Sequence, residues 1–323
     1  MYEVENSSIL KFTNVAKFFG SKKILDNISF EFNKGDIVGL VGPNGAGKTT
    51  IMRLILGSIK RQDGNIILFD KLVKNEERRE SNLRIGFVLE KSGFDYHKTG
   101  LENIYYYSKI IGIEKEVAEK RTEKLKNELG FNFYLTKPLN TYSKGMVKKL
   151  SILQSLLNKP ELLILDEPIS DVDQETKNTI VKLILYLSEV YKITILISSH
   201  NLGDLEDICR KYIIINNGKL EQFEEKDNID GSELTLIVKI RGNINGTYNL
   251  SDLINKGAIL DYKRIPTGFI FDIPGKEAID GILKFFEENH STIYNYEISK
   301  CSLIKKYFEL VGDNAYDKEF NIF

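Results

Sequence analysis

Apolar and polar residues alternate through residues 9–33, and further along the chain strand-length apolar segments alternate with helical ones. The alternation around Gly20-Ser21 predicts antiparallel strands. The later succession of strands and helices predicts a mainly parallel sheet with helices on both faces. We predict strands at 36–41, 65–69, 84–89, 162–166, 193–198 and 213–217, a helical region at 100–140, and helices at 49–56, 114–129, 144–158 and 174–191.

The pattern changes after residue 224, where a charged linker begins. Beyond the linker, strands are predicted at 234–240, 269–273 and 292–298, and helices at 250–256 and 276–289. These elements describe a small α+β module. We therefore divide the chain into a first domain at 1–224, a second at 232–312 and a tail at 313–323.

Composition excludes several classes of function. The 323 residues are 42% hydrophobic and 28% charged, and the net charge of −1 provides no field that would attract nucleic acid. No apolar run approaches the roughly 20 residues that span a bilayer, so any membrane role needs another chain. The two cysteines, Cys209 and Cys301, are interpreted as reduced thiols of a cytosolic protein.

A glycine-rich loop links a predicted strand to a predicted helix and fits the pattern G-x-x-x-x-G-K-[ST]. Backbone N–H groups and a helix N-terminus favour phosphate there. Lys48 is expected to reach the β- and γ-phosphates of ATP, and Thr49 to bind Mg²⁺. The alternative, a chance glycine-rich turn, fits the flanking strand and helix less well. The predicted ATP-binding loop consists of Gly42, Pro43, Asn44, Gly45, Ala46, Gly47, Lys48, Thr49 and Thr50.

Two adjacent carboxylates, Asp166 and Glu167, follow an apolar strand. A carboxylate at the end of a buried strand is costly unless a cation pairs with it, so Asp166 is predicted to bind Mg²⁺. Strand alternation would aim Glu167 in another direction, toward an attacking water, as a general base. A helix-capping acidic pair is the alternative, and the upstream phosphate loop favours catalysis.

Over residues 9–222 the chain resembles the ATP-binding subunits of ABC transporters. Ser143-Lys144-Gly145-Met146 stands at the signature motif of that family, and residues 169–173, which end in Asp173, stand at its D-loop. His200 stands at the switch histidine, Phe19 at the aromatic residue that stacks on adenine, and Glu90 at the Q-loop. The resemblance implies an α/β P-loop NTPase with a mainly parallel core sheet, an antiparallel β subdomain and a helical subdomain.

The resemblance also implies the roles of these residues. His200 is expected to join Lys48 and Glu167 in catalysis, Glu90 to join Thr49 and Asp166 at Mg²⁺, and Asp173 to lie at the nucleotide. Two such domains pair head to tail in the family. Ser143 and Gly145 are then expected to bind the γ-phosphate that the partner holds.

The sequence departs from the family pattern at three of these motifs. Lys144 replaces a signature glycine, and its side chain points either to the phosphate or to solvent. Glu90 replaces a glutamine. An acidic residue at this position is similar to the branch of bacterial drug and antibiotic export ATPases that serve bacitracin- and lantibiotic-type compounds. Asp171 replaces a small D-loop residue, with an effect that the sequence leaves open.

The expected function is ATP hydrolysis that powers export through a separate membrane permease, with ATP closing a dimer. The partners are then a second copy or a homologous subunit and the permease, at the cytoplasmic face of the cell membrane, with no nucleic acid. Two alternatives stay open: a soluble ATPase that acts on ribosomes or DNA, and a non-hydrolysing regulator in which Lys144 and Glu90 mark decay.

Overall fold

The computed structural model describes residues 8–73, 79–131, 134–199, 202–206, 208–224, 236–243, 250–265 and 268–300. The chain divides into two compact units, Met1–Glu224 and Glu225–Phe323. The predicted tail at 313–323 lies outside the described residues.

A six-stranded sheet forms the centre of the first unit. Five strands are parallel, and the sixth pairs antiparallel at one edge. The central strands are short and almost wholly buried, as parallel strands covered on both faces are. In order across the sheet they are β10 (Lys219–Glu224), β9 (Lys211–Asn216), β3 (Ile37–Val41), β8 (Thr194–Ser198), β7 (Leu162–Asp166) and β6 (Ile85–Val88).

A second sheet in this unit is antiparallel and has four strands. Its long strands alternate buried and exposed residues because one face packs on the core. The rings of Phe12 and Phe30 stack at a centroid distance of 4.3 Å within that core. The order is β2 (Lys22–Asn33), β1 (Ser8–Phe19), β4 (Asp63–Leu68) and β5 (Lys71–Leu72).

Capping residues mark the ends of several helices of the first unit. Thr99 and Glu102 form a reciprocal capping box at the start of α3. Gly57, with φ of 74°, ends α1. The helices are α1 (Lys48–Leu56), α2 (Arg79–Leu83), α3 (Gly100–Ile111), α4 (Lys115–Glu128), α5 (Lys144–Ser155), α6 (Gln174–Tyr191) and α7 (Leu202–Glu206), with a 3-10 turn at Leu139–Thr141.

The second unit is an antiparallel four-stranded sheet with two helices. Its core contains Phe269, Phe271 and Phe286, whose rings lie within 6 Å of one another. Its strands, in order, are β12 (Asp261–Ile265), β13 (Gly268–Ile273), β11 (Leu236–Asn243) and β14 (Thr292–Lys300). Its helices are α8 (Ser251–Asn255) and α9 (Ala278–Glu288).

The predicted fold class is confirmed: a mainly parallel core sheet, an antiparallel sheet, a helical region and a small α+β unit. The predicted helix at 144–158 was too long, because α5 ends at Ser155 and a turn follows it. The strands β10 and β12 were not predicted. Both are edge strands rich in charged residues, so their hydrophobic pattern is weak. Within the described residues, no helix is both long and apolar enough to cross a bilayer.

Candidate functional site

The predicted ATP-binding loop lies between β3 and α1, at the carboxyl end of the central sheet. The loop turns through three glycines with positive φ: Gly42 at 159°, Gly45 at 81° and Gly47 at 117°. Gly47 caps α1 in the left-handed region. Because α1 begins at Lys48, the N–H groups of its first turn point toward the loop, where an anion would meet them.

Two of these glycines leave no room for a side chain. A Cβ at Gly42 would lie 2.3 Å from the backbone oxygen of Ile215, and one at Gly47 would lie 2.9 Å from a methyl carbon of Leu25. Gly45 has open space around it. The loop is therefore packed against β9 at Gly42 and against β2 at Gly47, and it is open at Gly45.

The side chain of Lys48 turns back along the loop. Its Nζ donates to the carbonyl oxygen of Gly42, and lies 3.3 Å from that of Pro43. The ammonium group is thus held over the loop, half-buried, as a fixed cation where the loop curves. Such a cation, with the loop N–H groups and the N-terminus of α1, suits a polyphosphate.

The strand register places the predicted carboxylates at the same sheet edge as the loop. Leu40 on β3 lies opposite Ser198 on β8, and Ser198 lies opposite Asp166 on β7. Two strand spacings separate β3 from β7, which is about 10 Å. Asp166 therefore lies across one intervening strand from the chain that leads into Gly42, close enough for a metal and a phosphate to bridge the gap.

Ser198 is a site residue that the sequence analysis missed. Its fully buried hydroxyl donates to Oδ1 of Asp166 at 2.7 Å and accepts from the backbone N–H of Glu167 at 3.1 Å. One side chain therefore fixes both members of the acidic pair. The signal in the sequence was a serine at the end of a strand whose other residues are apolar or threonine.

Glu167 does not continue the strand. β7 ends at Asp166, and Glu167 adopts the left-handed region with φ of 52°. The prediction that strand alternation aims Glu167 was therefore wrong in its reasoning. A turn sets the direction of the side chain, at a cost of about 1–2 kcal/mol for a residue with a Cβ.

The signature segment forms the N-terminus of α5. Ser143 is the N-cap, and its hydroxyl accepts from the N–H of Met146 at 3.2 Å. Gly145 is buried, and a Cβ there would lie 2.8 Å from two side-chain atoms of Thr176. Thr176 is in turn held by Asp173, which caps α6 and accepts from the Thr176 N–H at 2.8 Å and hydroxyl at 2.9 Å. These hydrogen bonds lower the pKa of Asp173.

Comparison with known proteins identifies the family. A protein-family model described as "ABC transporter" matches residues 25–170. Bacitracin transport ATP-binding protein BcrA of Bacillus licheniformis is 34% identical over 95% of this chain and 98% of its own length. The chain belongs to the ATP-binding subunits of ABC transporters.

Two further relatives agree with this assignment. Linearmycin resistance ATP-binding protein LnrL of Bacillus subtilis (strain 168) is 32% identical over 68% of this chain and 70% of its own length. The crystal structure of the ADP conformation of MJ1267, an ATP-binding cassette of an ABC transporter, aligns with a TM-score of 0.62 and 27% identity, over 69% of this chain and 94% of that one. As a member of this family, the chain is an ATP-binding ATPase subunit of a transporter.

Lys144 and Asp171, two residues that differ from the usual pattern of ABC transporter subunits, lie next to each other. Nζ of Lys144 lies 3.6 Å from Oδ2 of Asp171, and both side chains are more than 70% exposed. Asp171 has a left-handed φ of 57°. Both side chains help to line a cavity of about 480 Å³, together with Glu90, Lys148 and Tyr142.

Two predicted site residues of the ABC subunit, one for adenine and one for Mg²⁺, lie at its surface. Phe19 ends β1 and is 49% exposed, with the ammonium group of Lys17 at 4.8 Å from its ring centroid. An exposed ring of this kind can stack on a base. Glu90 is exposed just beyond β6. His200, the predicted switch histidine, lies outside the described residues.

The donor set fits a nucleotide with Mg²⁺. The hydroxyl of Thr49 and the carboxylates of Asp166 and Glu90 are oxygen donors, which Mg²⁺ prefers, and Mg²⁺ commonly takes only one or two protein carboxylates. A dedicated protein cage is not required. The described residues contain no group of three or more His, Cys, Asp or Glu that could hold a metal.

Proposed function

We propose that this subunit hydrolyses ATP in a closed dimer and thereby powers export through a separate membrane permease. The observation that carries the proposal is the strand register, which brings the Lys48 loop and the Asp166–Glu167 pair to one sheet edge. Similarity along 98% of a bacitracin transport subunit supports a transport role for the chain as a whole.

ATP would be bound along the loop of residues 42–50. The backbone N–H groups and Lys48 would hold the phosphates, Thr50 would extend the contacts of the first helical turn, and Phe19 would stack on adenine. Thr49, Asp166 and Glu90 would hold Mg²⁺, which supplies neutralisation of phosphate charge when bound. Ser198 would keep Asp166 oriented, through the 2.7 Å hydrogen bond.

Glu167 would act as the general base. Its carboxylate takes a proton from water while the water oxygen bonds to the γ-phosphorus, and the bond from that phosphorus to the bridging oxygen breaks. The products are ADP and inorganic phosphate. His200 would contact the γ-phosphate.

The signature residues would complete the site of a second subunit. α5 has twelve residues, and its N-terminus carries positive potential at Ser143. While the Ser143 hydroxyl accepts the capping N–H, its own O–H can donate to a phosphate oxygen. ATP shared between two subunits would favour the closed dimer, and hydrolysis would remove that preference. The partner is a second copy or a homologous subunit.

Transport requires a membrane-spanning partner. The relatives named for bacitracin transport and linearmycin resistance favour a toxic compound as the exported class. The subunit would then dock on the permease at the cytoplasmic face of the membrane. Neither nucleic acid nor the ribosome is a partner in this proposal.

The Glu167→Gln variant tests hydrolysis and partnership together. It should bind ATP with near wild-type affinity, accumulate as a dimer and lose at least about 100-fold in turnover, because it lacks the base. A tagged form should co-purify with a membrane protein. Wild-type turnover in the variant would remove Glu167 from the role, and co-purification with ribosomes would favour the soluble alternative. A wild-type protein that binds ATP without hydrolysing it would favour the regulator.

A further inference from the structure

Lys148 bridges two parts of the site that are distant in sequence. It lies in the second turn of α5, past the signature residues. Its Nζ donates to the carbonyl oxygen of Glu167 at 2.7 Å and lies 3.4 Å from the carbonyl oxygen of Glu90. One ammonium group therefore joins the signature helix, the segment after β7 and the segment after β6.

The contact falls on a residue whose backbone conformation needs support. Glu167 has a left-handed φ of 52°, which a residue with a Cβ adopts only when its surroundings hold it there. Ser198 accepts from its N–H at 3.1 Å, and the hydroxyl of Ser170 donates to its carbonyl oxygen at 2.9 Å. Lys148 provides the shortest of these three hydrogen bonds, and the one with a charged donor.

The surroundings of Lys148 are acidic and partly dry. Burial lowers the pKa of its ammonium group, while the carboxylates of Glu167, Glu90, Asp166 and Asp171 raise it. By contrast, Lys144, one turn earlier on the same helix, is 75% exposed and lies beside Asp171. The side chain of Lys148 thus points away from solvent, toward the backbone of Glu167.

We propose that Lys148 is a positioning residue for Glu167, holding the carbonyl of the catalytic residue and tying it to the segment at Glu90. This inference rests on the proposed role of Glu167. A positioning residue affects turnover rather than ATP binding, because it acts on the geometry of the base and not on the phosphate loop.

Steady-state hydrolysis by Lys148→Met tests the role. Methionine keeps the length and apolar stem of the side chain but cannot donate. We expect kcat to fall by about 10- to 100-fold, with KM for ATP within about twofold, because a misplaced base loses rate steeply. Lys148→Arg, which restores a charged donor, should recover a large part of the lost kcat.

Lys126→Met is the matched control. Lys126 is also a half-buried helical lysine of the first unit, 22% exposed, and its ion pair with Glu123 lies on α4, away from the site. It should keep wild-type kcat and KM. If Lys148→Met fails to fold, Ser170→Ala removes the other side-chain donor to the same carbonyl and should lower kcat with KM unchanged.

The outcomes separate this inference from the proposed function. Hydrolysis by the wild-type protein, together with loss of hydrolysis in Glu167→Gln, supports the proposed function whatever the result for Lys148. Under those conditions, wild-type kcat in a folded Lys148→Met would overturn the positioning role, as would a Lys148→Arg variant no better than the methionine variant. Absence of ATP hydrolysis by the wild-type protein would contradict both the proposed function and the positioning role of Lys148.

Discussion

Gly145 lies directly against Thr176, so that a Cβ on the glycine would come within 2.8 Å of both Cγ2 and Oγ1 of the threonine. Thr176 cannot easily turn away, because its hydroxyl donates to Asp173 at 2.9 Å. The signature glycine is thus required for the packing of α5 on the start of α6 within one subunit. Any role toward a partner's phosphate comes in addition to that packing.

Gly145→Ala should therefore destabilise the first unit. We expect a loss of about 1–3 kcal/mol in the free energy of unfolding, as for overpacked sites, measured by urea denaturation. Thr176→Ala in the same chain removes the two crowding atoms and should recover part of the loss. Gly93, which has open space around it, is the control position: Gly93→Ala should cost less than about 0.5 kcal/mol. Equal stability of Gly145→Ala and wild type would contradict the packing account.

Two glycines of the phosphate loop should respond differently to alanine. At Gly42 the added Cβ would lie 2.3 Å from the backbone oxygen of Ile215, so the loop or β9 must move. At Gly45 the space is open, and only the left-handed φ of 81° opposes the change. We expect Gly42→Ala to abolish measurable ATP binding, and Gly45→Ala to cost about 1–2 kcal/mol of stability while the protein still folds.

Nucleotide affinity measured by equilibrium dialysis, alongside thermal unfolding, distinguishes the two variants. If Gly42→Ala bound ATP as tightly as the wild-type protein, the account of close packing between the loop and β9 would be wrong.

The Lys144–Asp171 pair should contribute little to the stability of one subunit. The two side chains are 75% and 78% exposed, and exposed ion pairs of this kind contribute about 0–1 kcal/mol. Lys144→Gly should leave ATP binding by the monomer within about twofold, whereas turnover and ATP-induced dimerisation should change. Asp171→Ala is the companion variant. A large loss of monomer affinity in Lys144→Gly would place Lys144 at its own subunit's nucleotide instead.

The Arg84–Glu161 pair should make stability depend on pH in the acid range. Arg84 donates to both carboxylate oxygens, at 2.6 and 2.8 Å, and this hydrogen bonding lowers the pKa of Glu161. A depressed carboxyl pKa stabilises the fold above the ordinary value, and that contribution is lost as the pH falls through the folded value. Because the side chains are 41% and 38% exposed, we expect only about 0.5–1 kcal/mol.

Comparison of Arg84→Met with the wild-type protein measures this term. The difference in unfolding free energy should be largest near neutral pH and shrink as Glu161 becomes protonated. A smaller pH-independent part should remain, since the guanidinium also lies 3.9 Å from the ring centroid of Phe69. Lys71→Met, which breaks a highly exposed pair with Glu80, should show no such dependence. A constant difference across the acid range would contradict the assignment.

Local patterns were enough to predict most of the fold. The buried strands ending at Val41, Asp166 and Ser198 are short apolar runs. Helix α6 has the predicted bounds: Asp173 caps its start, and Lys192 in the left-handed region ends it. The edge strands β10 and β12 were not predicted, because charged residues interrupt their hydrophobic pattern.

The site was predictable where chemistry follows from a contiguous motif, and not where it depends on packing. The ATP-binding loop and the acidic pair were predicted in this way. Ser198 and Lys148 were not predicted, because each contacts Glu167 from a distant part of the chain. Ser198 is 31 residues away from Glu167 in sequence, and Lys148 is 19 residues away. The reasoning about Glu167 was also wrong, because the strand ends at Asp166 and a left-handed turn follows it.

The central claim is that each nucleotide is held by Lys48 of one subunit and Ser143 of the other. Mixing two inactive variants, Lys48→Met and Ser143→Arg, tests it most directly. Each variant alone should lack hydrolysis, because both sites of its dimer are damaged. Mixed dimers would regain one intact site, so the equimolar mixture should recover up to about one quarter of the wild-type rate. Wild-type hydrolysis by Ser143→Arg alone, or a mixture no more active than its components, would contradict the account.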